Sequence, residues 1–301
     1  MIRTLAIANY RSLRELVVPL GQLNVITGPN GSGKTNLYRA LRLLADTAQG
    51  GVIASLAREG GLESTLWAGL EAPSQGARKG TTRIERTARK EPVSLRLGFA
   101  SETLSYAIDL GLPIPSPGLG KMPTRFYKDP EIKRECIWAG PRLRPAALLA
   151  DRRNNVVRLR SPQAEWEVVR QNIPLFDSML TEVADANRAP EVLNLRDRIR
   201  SWRFYDHFRV DADAPARQPQ LGTRTPVLSH DGRDVAAALQ TIREIGDADG
   251  LDAAVSDAFP GCRVEIGGGD DRGDLISSVA ERRGLIEGSE PKHQMLGRGN
   301  P

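Results

Sequence analysis

Apolar and other residues alternate from Ile2 to Tyr10, as they do along a strand buried on one face. Arg11-Ser12 interrupts the alternation, and Leu13 to Leu20 resumes an extended pattern. Leu23-Asn24-Val25-Ile26-Thr27 reads as a short buried strand. Leu37, Ala40, Leu41 and Leu44 then recur at helical spacing, which predicts a helix whose single apolar stripe packs back on a sheet. A second helical segment holds Ile53, Leu56 and Ala57 between Gly50-Gly51 and Gly60-Gly61, and Leu66 to Gly69 closes it.

From Ser94 the period changes to two. Leu95, Leu97 and Phe99 alternate, as do Leu104, Tyr106, Ile108 and Leu110, so the pair predicts a β-hairpin. Glu135–Trp138, Leu148–Ala150 and Val156–Leu159 extend the strand-rich region, and Asn154-Asn155 supplies a turn because Asn tolerates positive φ. Helices are expected over 173–186 and 190–201, with Pro190 suited to a first helical turn. Trp202 to Phe208 reads as a strand whose aromatic residues belong to a core. Further helices are expected at Val235–Ile245 and Leu251–Phe259, then a strand at Cys262–Ile266. From Gly267 the composition turns Gly-rich and polar, with one short helix-like piece at Leu275–Ala280. No internal repeat is present.

Between the expected strand at Leu23–Thr27 and the first helix lies Gly28-Pro29-Asn30-Gly31-Ser32-Gly33-Lys34-Thr35, which fits G-x-x-x-x-G-K-[ST] without a mismatch. Glycines let successive backbone N–H groups converge on an anion, and the following helix adds its positive end. In such a loop Lys34 neutralises the β/γ-phosphates and the Thr35 hydroxyl ligates Mg²⁺. Strand, loop and helix in sequence point to a nucleotide site.

Composition changes this picture little. At 301 residues, 40% hydrophobic and 26% charged, the chain has ample length for a buried core and no apolar run that spans a bilayer. The N-terminus carries no secretory h-region, and two isolated cysteines argue against a disulfide framework or a cysteine zinc site, so a cytoplasmic protein is expected. His207, His230 and His293 are too scattered for a metal cluster or a nucleophilic triad. The net charge of +5 is compatible with nucleic acid, and Arg78, Lys79, Arg83, Arg86, Arg89 and Lys90 form the one basic stretch. It reads first as a solvated loop or strand and second as a non-specific track for DNA phosphates, since no aromatic residue interleaves it.

Two strands leading straight into the loop, the string Asn9-Tyr10-Arg11-Ser12, and Gly28 to Asn36 together resemble the N-terminal portion of the RecF/SMC-like ABC-type ATPases, within the bacterial AAA-family predicted ATPase group. The resemblance thins toward residue 266. It implies an α/β fold: a P-loop NTPase (ABC/RecF-like head) sheet with an inserted β-rich lobe, incomplete at the C-terminus. The implied divisions are 1–70 for the first ATPase half, 71–170 for the lobe, 171–266 for a helical segment returning to the core, and 267–301 for a disordered tail. ATP and Mg²⁺ are the implied ligands, held by Gly28, Asn30, Gly31, Ser32, Gly33, Lys34, Thr35 and Asn36, with Thr35 on the metal. Arg11 inherits a contact to phosphate or adenine, against its plain reading as a turn arginine; Tyr10 offers a ring to adenine or simply packs at a strand end. Implied partners are DNA, bound non-specifically, and a second copy or a full-length ATPase; no membrane is implied.

Hydrolysis in that family also needs an apolar strand ending in Asp-Glu and a Leu-Ser-x-Gly segment from a second subunit. Asp151 follows Leu148-Leu149-Ala150, but Arg152 stands where Glu belongs; Asp109 after Tyr106-Ala107-Ile108 fails likewise. In Leu228-Ser229-His230-Asp231-Gly232 the glycine comes one position late. No catalytic residue is therefore assigned. The expectation is a truncated or frame-shifted ATPase that binds ATP without hydrolysing it, with a natural flexible tail as the alternative; a non-hydrolysing regulatory module is the second class. A small-molecule kinase or GTPase is the weakest reading, since no Asn-Lys-x-Asp string occurs.

Overall fold

The computed structural model describes residues 1–67, 94–113, 126, 128–206, 208–268 and 274–281. They fall in two compact units, Met1–Trp202 and Arg203–Pro301.

The first unit is built on an eight-stranded antiparallel sheet. Its strands are β1 (Ile2–Tyr10), β2 (Leu13–Pro19), β3 (Leu95–Ser101), β4 (Leu104–Gly111), β5 (Glu131–Ala139), β6 (Leu148–Arg153), β7 (Val156–Arg160) and β8 (Trp166–Arg170), in the order β2-β1-β3-β4-β5-β6-β7-β8. Period-two alternation sends Leu5, Ile7, Leu97, Phe99, Tyr106, Ile108 and Ile137 to one buried face. Helix α1 (Lys34–Thr47) lays Leu37, Ala40 and Leu44 toward β1 and β3. Helices α2 (Val52–Arg58) and α3 (Leu62–Thr65) follow, and α4 (Met179–Glu182) and α5 (Pro190–Arg200) pack on each other, with α5 also touching α1. The β3–β4 hairpin and the Asn154 turn, at φ 52°, match the expectations from sequence.

A buried ion pair locks the far half of this sheet to the segment after it. Glu135 on β5 and Arg152 on β6 are cross-strand partners, both with side chains fully buried, and Arg152 Nη1 donates to Glu135 Oε2 at 2.8 Å. Glu135 also accepts from Tyr106 Oη at 2.6 Å, Ser178 Oγ at 2.5 Å and the Met179 N–H at 2.8 Å. Arg152 donates further to the carbonyls of Asn154, Pro174 and Asp177. Ser178 in turn accepts from Leu180 N as the N-cap of α4. Burial, reinforced by the Glu135 charge, holds the Tyr106 phenol well above its ordinary pKa, so it stays a donor.

The second unit holds β9 (Gln220–Leu221), α6 (Val235–Ile245), α7 (Ala248–Ala258), β10 (Cys262–Gly268) and β11 (Asp274–Glu281), its strands ordered β10-β11-β9. Here the sequence misleads twice. Leu275–Ala280 is strand rather than helix: it pairs with β10 from Cys262↔Glu281 to Gly268↔Leu275, a register that a single apolar piece does not reveal. The tail expected from residue 267 accordingly gives way to strand at 267–268 and 274–281.

Three other expectations fail in the described residues. Leu23–Thr27 forms no strand, and Leu23, Val25 and Ile26 are exposed at 85%, 78% and 53%, because none of the strands pairs with the segment. An apolar run supplies side chains for a core but not the neighbouring ladder that a strand needs. Trp202 to Asp206 is not strand either; Trp202 sets its ring edge-on to Phe99, centroids 5.2 Å apart. Of the helix expected over 173–186 only α4 forms, since Arg152 takes the carbonyls of Pro174 and Asp177. Strands β3–β8 continue the sheet from β1, with Leu5↔Phe99 and Ile7↔Leu97 in register.

Removing one member of the buried pair strands the other. Arg152→Met is expected to destabilise the protein by about 3–5 kcal/mol and lower Tm by roughly 10 °C, and the double change with Glu135→Leu should recover much of the loss. Denaturant and thermal unfolding of the three variants check this; equal stability of Arg152→Met and the parent would contradict it.

Candidate nucleotide site

The Gly28–Thr35 loop is exposed through Ser32 and runs into α1 at Lys34. Gly28, Gly31 and Gly33 hold φ of 153°, 81° and 96°, a left-handed region in which side chains are strained. At Gly33 space is also short: a Cβ would stand 2.6 Å from Ser12 Oγ. The Ser32 N–H closes a turn on Pro29 O at 3.3 Å. Lys34 reaches back over the loop, its Nζ donating to the carbonyls of Gly28 at 2.6 Å and Pro29 at 2.8 Å. Gly33 caps α1 with backbone alone, and no side-chain cap or acidic residue occupies the first turn. The positive end of the helix therefore faces the loop without an internal counter-charge. A phosphate fits this arrangement, since its oxygens replace the two carbonyls as acceptors for an ammonium already in place. Asn30 and Thr35 are exposed, as Thr35 must be to reach a metal ion.

The turn between β1 and β2 braces the loop. Asn9 and Arg11 adopt positive φ, 62° and 49°, and place Ser12 against Gly33. Asn36 Nδ2 donates to Ser12 Oγ at 2.8 Å, so Asn36 ties α1 to this turn. Arg11 points elsewhere: its Nε and Nη2 donate to Glu59 Oε2 at 3.0 and 2.8 Å. Tyr10 is fully buried, its hydroxyl also on Glu59, so it packs at the strand end. Burial, then the Glu59 carboxylate, pushes the Tyr10 phenol well up. The backbone fastens the same turn to α3 through Arg11 N–H on Thr65 O at 2.7 Å and Trp67 N–H on Asn9 O at 3.1 Å. Ser12 and Glu59 thus belong to the site's support. Ser12 was visible in the Asn9–Ser12 string, whereas nothing in the sequence marks Glu59 as the partner of Tyr10 and Arg11.

The sequence imitations of the hydrolytic elements have other occupations. Asp151 accepts from Arg134, Arg153 and Arg158 at 2.9, 3.0 and 3.1 Å, and Asp109 pairs with Arg96 at 3.3 Å. In Leu228–Gly232, Ser229 Oγ donates to Asp234 at 2.7 Å, and Arg233 holds the Asp231 carboxyl well below its usual range. This is the local bonding of the turn before α6. No group of His, Cys, Asp or Glu arranged for a metal occurs among the described residues. The basic run from Arg78 to Lys90 lies outside the described residues, as do His207 and His293. No described helix is long and apolar enough to cross a membrane.

Residues 23–113 match the family model described as an AAA domain, putative AbiEii toxin, type IV toxin–antitoxin system. UvrABC system protein A of Chlamydia trachomatis is 26% identical over 51% of this chain. The OLD nuclease of Thermus scotoductus is 46% identical over 15% of it, and the DNA replication and repair protein RecF of Brucella abortus 51% identical over 15%. The matches span only 9%, 8% and 12% of those three proteins. A solved chain from work on ATP-driven dimerization and DNA-stimulated activation of SMC ATPases is 14% identical over 66% of this chain and 96% of its own, at a TM-score of 0.22, too slight a likeness to bear on the fold.

Gly33→Ala meets both a left-handed φ and the Ser12 hydroxyl. It is expected to destabilise the protein by about 1–2 kcal/mol, and Ser12→Gly in the same chain should relieve only the contact. Thermal unfolding of the single and double variants measures the two parts; a neutral Gly33→Ala would mean the loop adopts another backbone.

Proposed function

The N-terminal portion of the chain resembles RecF/SMC-like ABC-type ATPases, and from that premise we propose that Gly28 to Asn36 bind Mg·ATP in a P-loop NTPase unit. The observation that carries the reading is Lys34, the first residue of α1, with its ammonium held over the glycine loop by two backbone carbonyls. In this reading Lys34 transfers its bonds to the β/γ-phosphates, the loop amides and the helix end surround them, and the Thr35 hydroxyl holds Mg²⁺. Bound Mg²⁺ supplies charge neutralisation to the phosphates. Ser12 and Asn36 keep the loop in register with the sheet, while Glu59 fixes Arg11 beside the turn.

Turnover is a separate matter. The sequence contains no Asp-Glu pair, and Asp151, its nearest imitation, is enclosed by three arginines. We therefore read this chain as a nucleotide-binding module that depends on another polypeptide, or on further chain, for water activation and the trans contact to the γ-phosphate. The RecF relative, a DNA replication and repair protein, supports a role on DNA.

Two measurements test this. In titration calorimetry, Lys34→Ala should lower Mg·ATP affinity at least about tenfold, ~1.4 kcal/mol; unchanged affinity would remove the assignment. Phosphate release by the purified chain should stay at background. Steady release abolished by Lys34→Ala would overturn the non-hydrolysing reading while leaving the binding site standing.

A further inference from the structure

Strand β8 ends the eight-stranded sheet and pairs with β7, so its outer backbone edge is open among the described residues. On it Trp166 and Val168 are 39% and 47% exposed. Charge, proline or a bulge ordinarily blunts such an edge. The bulge of β8 sits at Val169, between the register pairs Arg158↔Val168 and Val157↔Arg170. Trp166 to Val168 therefore remain a regular template of N–H and C=O groups for a further strand.

The two faces beside this edge differ in chemistry. On one, Arg160↔Trp166 and Arg158↔Val168 are register pairs, and the Arg158 and Arg160 guanidiniums lie 5.5 and 5.9 Å from the Trp166 ring centroid. Arg134, Arg153 and Arg158 share the buried Asp151 carboxylate, while Arg160 donates to the neutral carbonyl of Pro145 at 2.8 Å. Four guanidiniums set against that carboxylate leave this face positive. On the other face a groove of about 530 Å³ lies between β7, β8 and the 183–189 segment, lined in part by Leu159, Val169, Val183, Ala186 and Ala189. Two ion pairs join β8 across it, Arg170 to Glu182 at 3.9 Å and Glu167 to Arg188 at 3.4 Å.

We propose that β8 takes up an extended acidic segment of a partner protein as an added strand, its carboxylates on the Arg158 and Arg160 face and its small apolar side chains over the groove. Three observations converge on that occupant. The edge presents donors and acceptors in alternation, and a polypeptide backbone matches both, whereas a phosphodiester backbone has no N–H for the carbonyls. A strand's period of two sends successive side chains to opposite faces, which suits a positive face on one side and a small-walled apolar groove on the other. A second copy of this chain fits worse: antiparallel pairing of β8 with itself would set Arg158 and Arg160 beside the same arginines of the copy. The site is independent of the glycine loop and of its nucleotide.

The test is fluorescence anisotropy of a labelled, end-blocked decapeptide of alternating Glu and Val, with the full chain, at low salt and without ATP or Mg²⁺. It should bind about tenfold more tightly than the same residues arranged as a Glu block and a Val block, and the alternating Lys-Val peptide should not bind. In an added strand the N–H groups of alternate residues face β8 and the others face away. N-methylation of all the Glu residues and N-methylation of all the Val residues should therefore act unequally, one abolishing binding and the other sparing it, a readout that leaves the protein unaltered. Arg158→Gln/Arg160→Gln should weaken binding about tenfold and flatten its salt dependence. Absence of binding by the parent chain overturns the proposal, as does equal binding of the two N-methylated peptides. Retention of both, with displacement by oligo-dT, would make the face a general polyanion surface instead. Self-association of the chain that is lost in Val168→Glu would assign the edge to a second copy and overturn the choice of partner.

Discussion

A carboxylate and a guanidinium with no access to water set the terms for the first unit. Glu135 and Arg152 face each other across two strands, and between them they satisfy a tyrosine, a serine, a backbone N–H and three carbonyls. Enclosing two charges is worth having only when every lone pair and proton is used, and here the partners come from three places: the sheet, the Pro174–Asp177 segment and the cap of α4. The pair therefore acts less as an attraction than as a condition on register. A one-residue slip of β5 against its neighbours would turn Glu135 to the opposite face, leaving Arg152 buried without its counter-charge and Tyr106 without that acceptor.

The glycine loop depends on the same sheet through its opposite edge. Helix α1 lies on β1 and β3, and the β1–β2 turn, held open by positive φ at Asn9 and Arg11, presents Ser12 to the loop's last glycine and to Asn36. Glu59 collects Tyr10 and Arg11 from that turn, so strand end, turn and α2's C-terminus move together. A chemically exposed loop is thus framed by a rigid base, an arrangement that suits recognition of a ligand whose charge is fixed and whose shape is compact.

What could be read from the sequence were features determined by near neighbours. The alternation of Leu95 to Leu110, the turn at Asn154 and the stripe of α1 each follow from residues a few positions apart. The loop motif is equally local, since it consists of backbone conformations that only glycine adopts easily. What escaped reading depends on distant partners. Leu23–Ile26 has the composition of a strand but no strand beside it, and β11 has a helix-like composition but a ladder with β10. Nothing in the sequence marks Glu135, Arg152 or Glu59 as members of buried networks, because burial and pairing are tertiary facts that no local pattern encodes.

The uncovered stretch before the loop has an energetic consequence for any ligand. Gly21 and Asn24 bond to each other, and Leu23, Val25 and Ile26 face solvent, so among the described residues the approach to Gly28 has no ladder along its length. A bound anion must then fix backbone torsions that the chain alone leaves unsupported, at ~1–2 kcal/mol for each residue so ordered. Anything that laid a ladder along Leu23 to Thr27 would meet that entropic demand in advance and tighten the loop's grip without touching the ligand. Affinity at the loop and occupancy of this edge are in that sense two readings of one free energy.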